Sequence, residues 1–101
     1  MKLVWTEQAL TRLGEIETYI AARSPVDAIK FVERLVGRGD SLQNFAHRGR
    51  RVPEFGSSEF RETREGNYRI VYRIRDETVE ILTVFEGHRL FPEEDVPFHG
   101  H

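Results

Sequence analysis

Cysteine is absent from this chain, which removes disulfide frameworks, thiolate metal sites and cysteine nucleophiles together. Lysine is almost absent too. Of the 15 basic residues only Lys2 and Lys30 are lysines, and the other 13 are arginines. No apolar run approaches the roughly 20 residues that span a bilayer, and no signal-like stretch follows Met1. A cytoplasmic protein with no membrane partner is the expectation. Gly37 and Gly39 have neither the lysine nor the strand context of a phosphate loop. There are no repeats and no low-complexity segments.

What is present is the balance of one small globular domain: 101 residues, 39% hydrophobic and 32% charged. Seventeen acids against 15 bases give a net charge of −2. The arginines are unevenly placed. Residues 48–89 hold nine of them, whereas Glu93, Glu94 and Asp95 make residues 90–101 acidic. A protein that lives by unspecific phosphate contact is usually basic overall. Contact with nucleic acid here requires a local arginine cluster.

Lys2 to Trp5 alternates and reads as a first or edge strand. Thr6 caps a helix to about Arg23, with Ala9, Leu10, Leu13, Ile16 and Ile20 on one stripe. Ser24 caps a second helix, with Pro25 at its first position and Asp27 placed for a capping box. Ala28, Phe31, Val32, Leu35, Leu42 and Phe45 continue that period, and Gly39 falls on the stripe, where it permits close approach of another backbone. Gly49, Pro53 and Gly56 mark a loop. Strands follow at about 59–64, 68–75 and 78–85, broken at Glu65-Gly66-Asn67 and Asp76-Glu77. The predicted fold is α+β, with an N-terminal strand and an antiparallel helical hairpin packed on one face of a small antiparallel meander. Residues 1–91 form the domain, and residues 92–101 are expected to be a short, loose acidic tail.

Joining 68–75 to 78–85 by a two-residue turn sets Ile74 opposite Val79, Tyr72 opposite Ile81 and Tyr68 opposite Phe85, facing the helices. The other face then receives Arg73 opposite Glu80, Val71 opposite Leu82 and Arg69 opposite Val84. A three-residue turn before Tyr68 puts Phe60 with the core and Arg61 and Thr63 on the open side. The uncovered face is thus expected to carry Arg61, Arg69 and Arg73 around Val71, Leu82 and Val84, and a bare face of that composition reads as a binding surface.

The same order leads through Val52-Pro53-Glu54, Phe60-Arg61-Glu62, Gly66-Asn67-Tyr68-Arg69-Ile70-Val71-Tyr72-Arg73, Val79-Glu80-Ile81-Leu82-Thr83-Val84 and Gly87-His88-Arg89. It resembles the RelE/ParE superfamily of small bacterial toxins, also known as plasmid stabilisation proteins, from Trp5 to about Arg89. The resemblance implies the toxin of a type II toxin–antitoxin pair, bound in a hetero-oligomer by a cognate antitoxin and needing no metal or other cofactor. RelE-like members enter the ribosome and cut mRNA; ParE-like members poison DNA gyrase and are not enzymes of this kind. By analogy, Arg69 matches a phosphate-binding arginine of the nucleases. Glu54 and His88 resemble the carboxylate and histidine of a YoeB-type subgroup, and Arg89 matches a second arginine of RelE. Metal-independent cleavage needs a base, cations on the phosphorane and an acid, and these residue types suit those roles. Two positions depart from the templates. Asp95 stands near where RelE-like enzymes carry an aromatic hydroxyl, and Arg89 follows His88 where YoeB-like enzymes have a tyrosine. The net charge opposes attraction to ribosomal RNA, which favours ParE-like action. The alternative from another class is a non-toxic interaction module that uses the open sheet face. His99 and His101 are spaced like metal ligands but are read as part of the tail.

Overall fold

The computed structural model describes residues 1–56 and 59–97. Its elements are β1 (Lys2–Trp5), α1 (Glu7–Ala21), α2 (Pro25–Asp40), α3 (Leu42–Phe45), β2 (Arg50–Arg51), β3 (Phe60–Glu65), β4 (Tyr68–Arg75) and β5 (Thr78–Glu86). Short 3-10 turns lie at Ala46–Arg48 and Glu93–Asp95. The strands form one sheet in the order β1-β5-β4-β3-β2. β1 runs parallel to β5, and the other pairs are antiparallel. The architecture is the expected α+β arrangement, with α1 and α2 packed on one sheet face.

Local chemistry explains the hairpin. The Thr6 hydroxyl accepts from the Ala9 amide at 3.2 Å to cap α1, and it donates to the Ile81 carbonyl at 2.7 Å. One side chain therefore starts the helix and ties it to β5. The Ser24 hydroxyl accepts from the Asp27 amide at 3.2 Å, and Pro25 opens α2 with φ already set. Ala9, Leu13 and Ile16 of α1 join Leu35 of α2 against Ile70, Tyr72, Val79, Ile81 and Val84 of the sheet. The close approach expected at Gly39 is real, but the neighbour is a side chain. A Cβ there would fall 2.7 Å from Trp5 Cη2 and 3.0 Å from Ile81 Cδ1. Tyr72 crosses this core. Its hydroxyl donates to the Ala46 carbonyl at 2.6 Å and accepts from the Gly49 amide at 3.0 Å.

Two register details correct the predicted faces. Glu65 pairs with Tyr68, so the β3–β4 turn is the two-residue Gly66-Asn67, with Gly66 at φ 59°. That turn is one residue shorter than expected and moves every β3 side chain to the other face. Phe60, Glu62 and Arg64 therefore lie away from the helices, opposite Arg73, Val71 and Arg69, while Arg61 and Thr63 face them. On β5, Tyr72 pairs with Ile81 but Val71 pairs with Thr83, so Leu82 is an extra, bulged residue. Beyond it Arg69 sits opposite Phe85 and Tyr68 opposite Glu86. Val84 accordingly belongs to the helix-side core, and Phe85 takes the place expected for it on the far face. The Asp76-Glu77 turn is as read from the sequence, with both residues at positive φ (52° and 58°), the backbone that suits a twisted two-residue hairpin.

The far face is not open. Val52 and Phe55 from the loop, with Phe91, cover Phe60, Val71, Leu82 and Phe85 to form a second core. Rings of Phe55 and Phe91 meet at 4.9 Å, and those of Phe85 and Phe91 at 5.0 Å. The acidic segment after it docks as well, contrary to the loose tail expected from its composition. The Asp95 side chain is fully buried. It accepts from Arg12 Nε at 2.8 Å, Arg12 Nη2 at 2.9 Å, Thr83 Oγ1 at 2.6 Å and Gln8 Nε2. Burial alone would raise its pKa, but these donors outweigh burial and hold Asp95 below the usual carboxylate range.

Two predictions follow from packing and linkage. Gly37→Ala and Gly39→Ala gain the same helix propensity, about 1 kcal/mol, but only Gly39 meets the indole, whereas a Cβ at Gly37 meets nothing within 4 Å. Urea unfolding should show Gly37→Ala more stable than wild type and Gly39→Ala less stable by up to about 2 kcal/mol, the overpacking cost minus the propensity gain. The Asp95 anchor has a depressed folded pKa, so its stabilisation is complete above the unfolded value of about 4 and is lost as pH falls through the folded value. Thermal melts from pH 6 to pH 2 should fall more steeply for wild type than for Asp95→Asn.

Candidate functional site

The alternation of β4 sends Ile70 and Tyr72 to the helices and Arg69, Val71 and Arg73 to the far face. Arg69 lies mid-sheet, 5% exposed, with its guanidinium 4.9 Å from the centroid of the Phe85 ring. A charge taken so far from water has to be paired. Glu54 meets it with both oxygens, Nη1 to Oε2 at 3.0 Å and Nη2 to Oε1 at 2.9 Å. Glu62, 1% exposed, takes Nε at 2.8 Å and also accepts from Nη2. The other oxygen of Glu62 accepts from Arg50 Nε at 2.7 Å. Two arginines and two glutamates thus close into one neutral row. The hydrogen bonds from Arg69 hold the Glu54 carboxyl below its ordinary pKa. Burial works against the charge on Arg69, but its two carboxylates outweigh that and raise its pKa. Within the row the Arg69 guanidinium has no idle nitrogen. Its evident work is to clamp the turn after Val52 onto the sheet.

The structure brings together two of the four residues assigned catalytic roles by analogy, Glu54 and Arg69. The other two lie elsewhere. His88 is exposed, and its Nε2 is 3.9 Å from Glu86 Oε2. Arg89 is exposed and borders a cavity of about 250 Å³ whose wall includes Arg12, Tyr19, Tyr68, Glu86 and Glu94. Among the described residues, no ion pair or hydrogen bond links His88 or Arg89 to Arg69. The five residues expected beside Arg69 on an open face separate too. Arg73 does lie on the far face, with Nε 2.9 Å from Glu80 and 3.8 Å from Glu59. Val71 is fully buried there, and Leu82 is half-buried beside it. Val84 and Arg61 have gone to the helix side for the register reasons given above. Arg61 Nη1 donates to the Gly49 carbonyl at 2.8 Å. His99 and His101 lie outside the described residues.

Glu62 is the residue the sequence reading missed, although it completes the row. Its signal was present in the alternation Phe60, Glu62, Arg64, but it becomes legible only with the correct turn length. A two-residue turn at Gly66-Asn67 sets Glu62 against Val71, diagonal to Arg69. Arg50 was missed because β2 is only two residues long and carries no period.

Comparison with known proteins agrees with this architecture. A family model described as ParE toxin of the type II toxin–antitoxin system, parDE, matches residues 3–91. A Sinorhizobium fredii protein named "Putative toxin Y4kP" is 35% identical over 97 residues, covering 91% of this chain and 94% of its own length. Among solved structures, the chromosomal ParDE system of P. aeruginosa contains a chain that superposes with a TM-score of 0.70 at 25% identity, covering 85% of this chain and 95% of that one. The toxin–antitoxin complex RelBE2 of Mycobacterium tuberculosis contains another, with a TM-score of 0.52 at 25% identity and coverage of 84% and 95%. With a match spanning nearly the whole described domain and the strand-hairpin-meander order in place, this chain belongs to the ParE toxin family of type II toxin–antitoxin systems.

Proposed function

We propose that this toxin acts in the ParE manner, by poisoning DNA gyrase through protein contact rather than by cutting mRNA, and that a cognate antitoxin neutralises it. The observation that carries the reading is the state of Arg69. All three of its nitrogens are engaged by Glu54 and Glu62, so a phosphate entering there would meet two carboxylates. Cleavage also needs an acid and a base beside that cation, and the candidate histidine lies apart and faces solvent. A toxin that works by binding has no need of these groups. The antitoxin reading draws on the neighbours in toxin–antitoxin complexes. It also draws on apolar side chains that the helices leave exposed, Leu10 at 54%, Val26 at 60% and Ile29 at 55%, which a partner would cover.

Controlled expression with and without the neighbouring gene tests both parts. The expected result is growth arrest with trapped gyrase–DNA cleavage complexes and intact mRNA, relieved when the neighbouring gene is co-expressed. Ribosome-dependent mRNA cuts that vanish in His88→Ala would instead establish the nuclease.

A stability series tests the reading of Arg69 as a clamp. Arg69→Ala leaves the buried Glu62 with Arg50 as its one ion-pair partner and Glu54 without its clamp, at a cost of about 3–5 kcal/mol. The double change Arg69→Leu with Glu62→Leu removes both charges and should recover most of that loss in urea unfolding. A single variant as stable as wild type would show that the row bears no load.

A further inference from the structure

Arg51 and Arg61 stand directly opposite each other on β2 and β3, at the edge of the sheet. Cross-strand partners share a face, so both lie on the helix side, while Arg50 and Glu62 lie on the other. One residue along, the Val52 amide donates to the Phe60 carbonyl at 3.2 Å. Alternation therefore makes Arg51 and Arg61 a non-hydrogen-bonded pair, the kind whose side chains sit closest. Like charges so placed destabilise a sheet. Among the described residues no carboxylate lies within ion-pair distance of either one. Glu62 serves Arg50 and Arg69 on the far face, and Glu59 approaches Arg73.

The two side chains differ in freedom. Arg61 is half-buried and pinned, with Nη1 donating to the Gly49 carbonyl at 2.8 Å, a neutral acceptor. Its Nε is enclosed. Among the described residues this is the one buried side-chain nitrogen or oxygen without a hydrogen-bond partner. Such a group in a folded protein calls for an explanation, and an ion beside it is one. Nη2 is neither bonded nor enclosed, which leaves it for a ligand. Arg51 is exposed, and its side chain makes no hydrogen bond or ion pair among the described residues. The result is one fixed fork with one free fork beside it. Two uncompensated guanidinium charges match a dianion, whereas one carboxylate would leave a charge over. A phosphate group near neutral pH carries a charge of about −1.5 to −2, and its oxygens fit the planar forks. Two residues along each strand, Gly49, Pro53 and Thr63 add no positive charge. The pair therefore suits a single phosphate group rather than an extended polyanion.

We propose that Arg51 and Arg61 form a phosphate site on the helix-facing side of the β2–β3 edge, with Arg61 held in place and Arg51 closing on the anion. The proposal does not depend on the gyrase reading, and its test contains neither gyrase nor antitoxin. Nitrogen-15 NMR of the full chain reads it, because an enclosed Nε–H is shielded from exchange with water. Inorganic phosphate is titrated at neutral pH, with chloride holding the ionic strength constant. The expected result is a saturable shift of the Arg61 Nε–H signal. Arg51→Gln should weaken binding by about ten-fold or more, the loss of a charge-assisted hydrogen bond. Arg64→Gln, on the opposite face of the sheet, should bind as wild type does. Melting midpoints give a second readout. Arg51→Gln removes the like-charge contact at an exposed position, so without phosphate its midpoint should exceed that of wild type. Phosphate should then raise the wild-type midpoint more than the variant's. Phenyl phosphate separates the sources: tighter binding than inorganic phosphate assigns the site to a phosphate monoester, and weaker binding to the free ion. Absence of a saturable shift, acetate that binds as tightly as phosphate, an Arg51→Gln variant that binds as wild type does, or an equal midpoint gain from phosphate in both proteins would overturn the proposal.

Discussion

One guanidinium buried between two carboxylates closes the face of this sheet that the helices leave uncovered. Arg69 stands where a five-stranded sheet would otherwise present a bare surface, and Glu54 reaches it from the turn after Val52 while Glu62 reaches it from β3. Burial makes the pairing obligatory, because an unpaired charge there is far more costly than an exposed one. With Arg69 satisfied, the loop carrying Val52 and Phe55 stays down on Phe60, Val71 and Phe85, and Phe91 joins the same rings. The sheet therefore has a core on each side, and the small helix-side core is not asked to hold the fold alone.

This closure divides the surface into regions with different work. The helical side exposes aliphatic residues such as Leu10, Val26 and Ile29, the chemistry of a protein partner. The far face is occupied by its own loop and by neutral ion pairs. Strand β4 thus spends its buried positive charge internally, Arg69 on Glu54 and Glu62 and Arg73 on Glu80 and Glu59, as Arg12 of α1 does on Asp95 and Glu94.

Helix caps, the hairpin turn at Asp76-Glu77, the order of elements and the family itself were legible in the amino-acid sequence. Each is either local or carried by short motifs in fixed order. Thr6 and Ser24 act on amides three residues away, and the apolar stripe of α1 is set by helical period alone. Which face each strand residue occupies was legible only in part. The pairs next to the Asp76-Glu77 turn, Ile74 with Val79 and Arg73 with Glu80, follow from turn length. Past Leu82 the same counting fails, since a bulge inserts one residue and reverses the faces.

By itself, then, the sequence determined the helical hairpin, the meander and the toxin family, because these rest on periodicity, capping and motif order within short reach. Tertiary structure alone decided that Arg69 is enclosed rather than offered, that Glu62 is its buried partner, and that Asp95 anchors its segment to α1 and β5. Those outcomes depend on residues far apart in the chain, such as Arg12 with Asp95 and Glu54 with Arg69. They also depend on one-residue differences in turn and bulge that composition does not encode. A charge reads the same in the sequence whether it faces water or a carboxylate, and only the folded chain chooses between them.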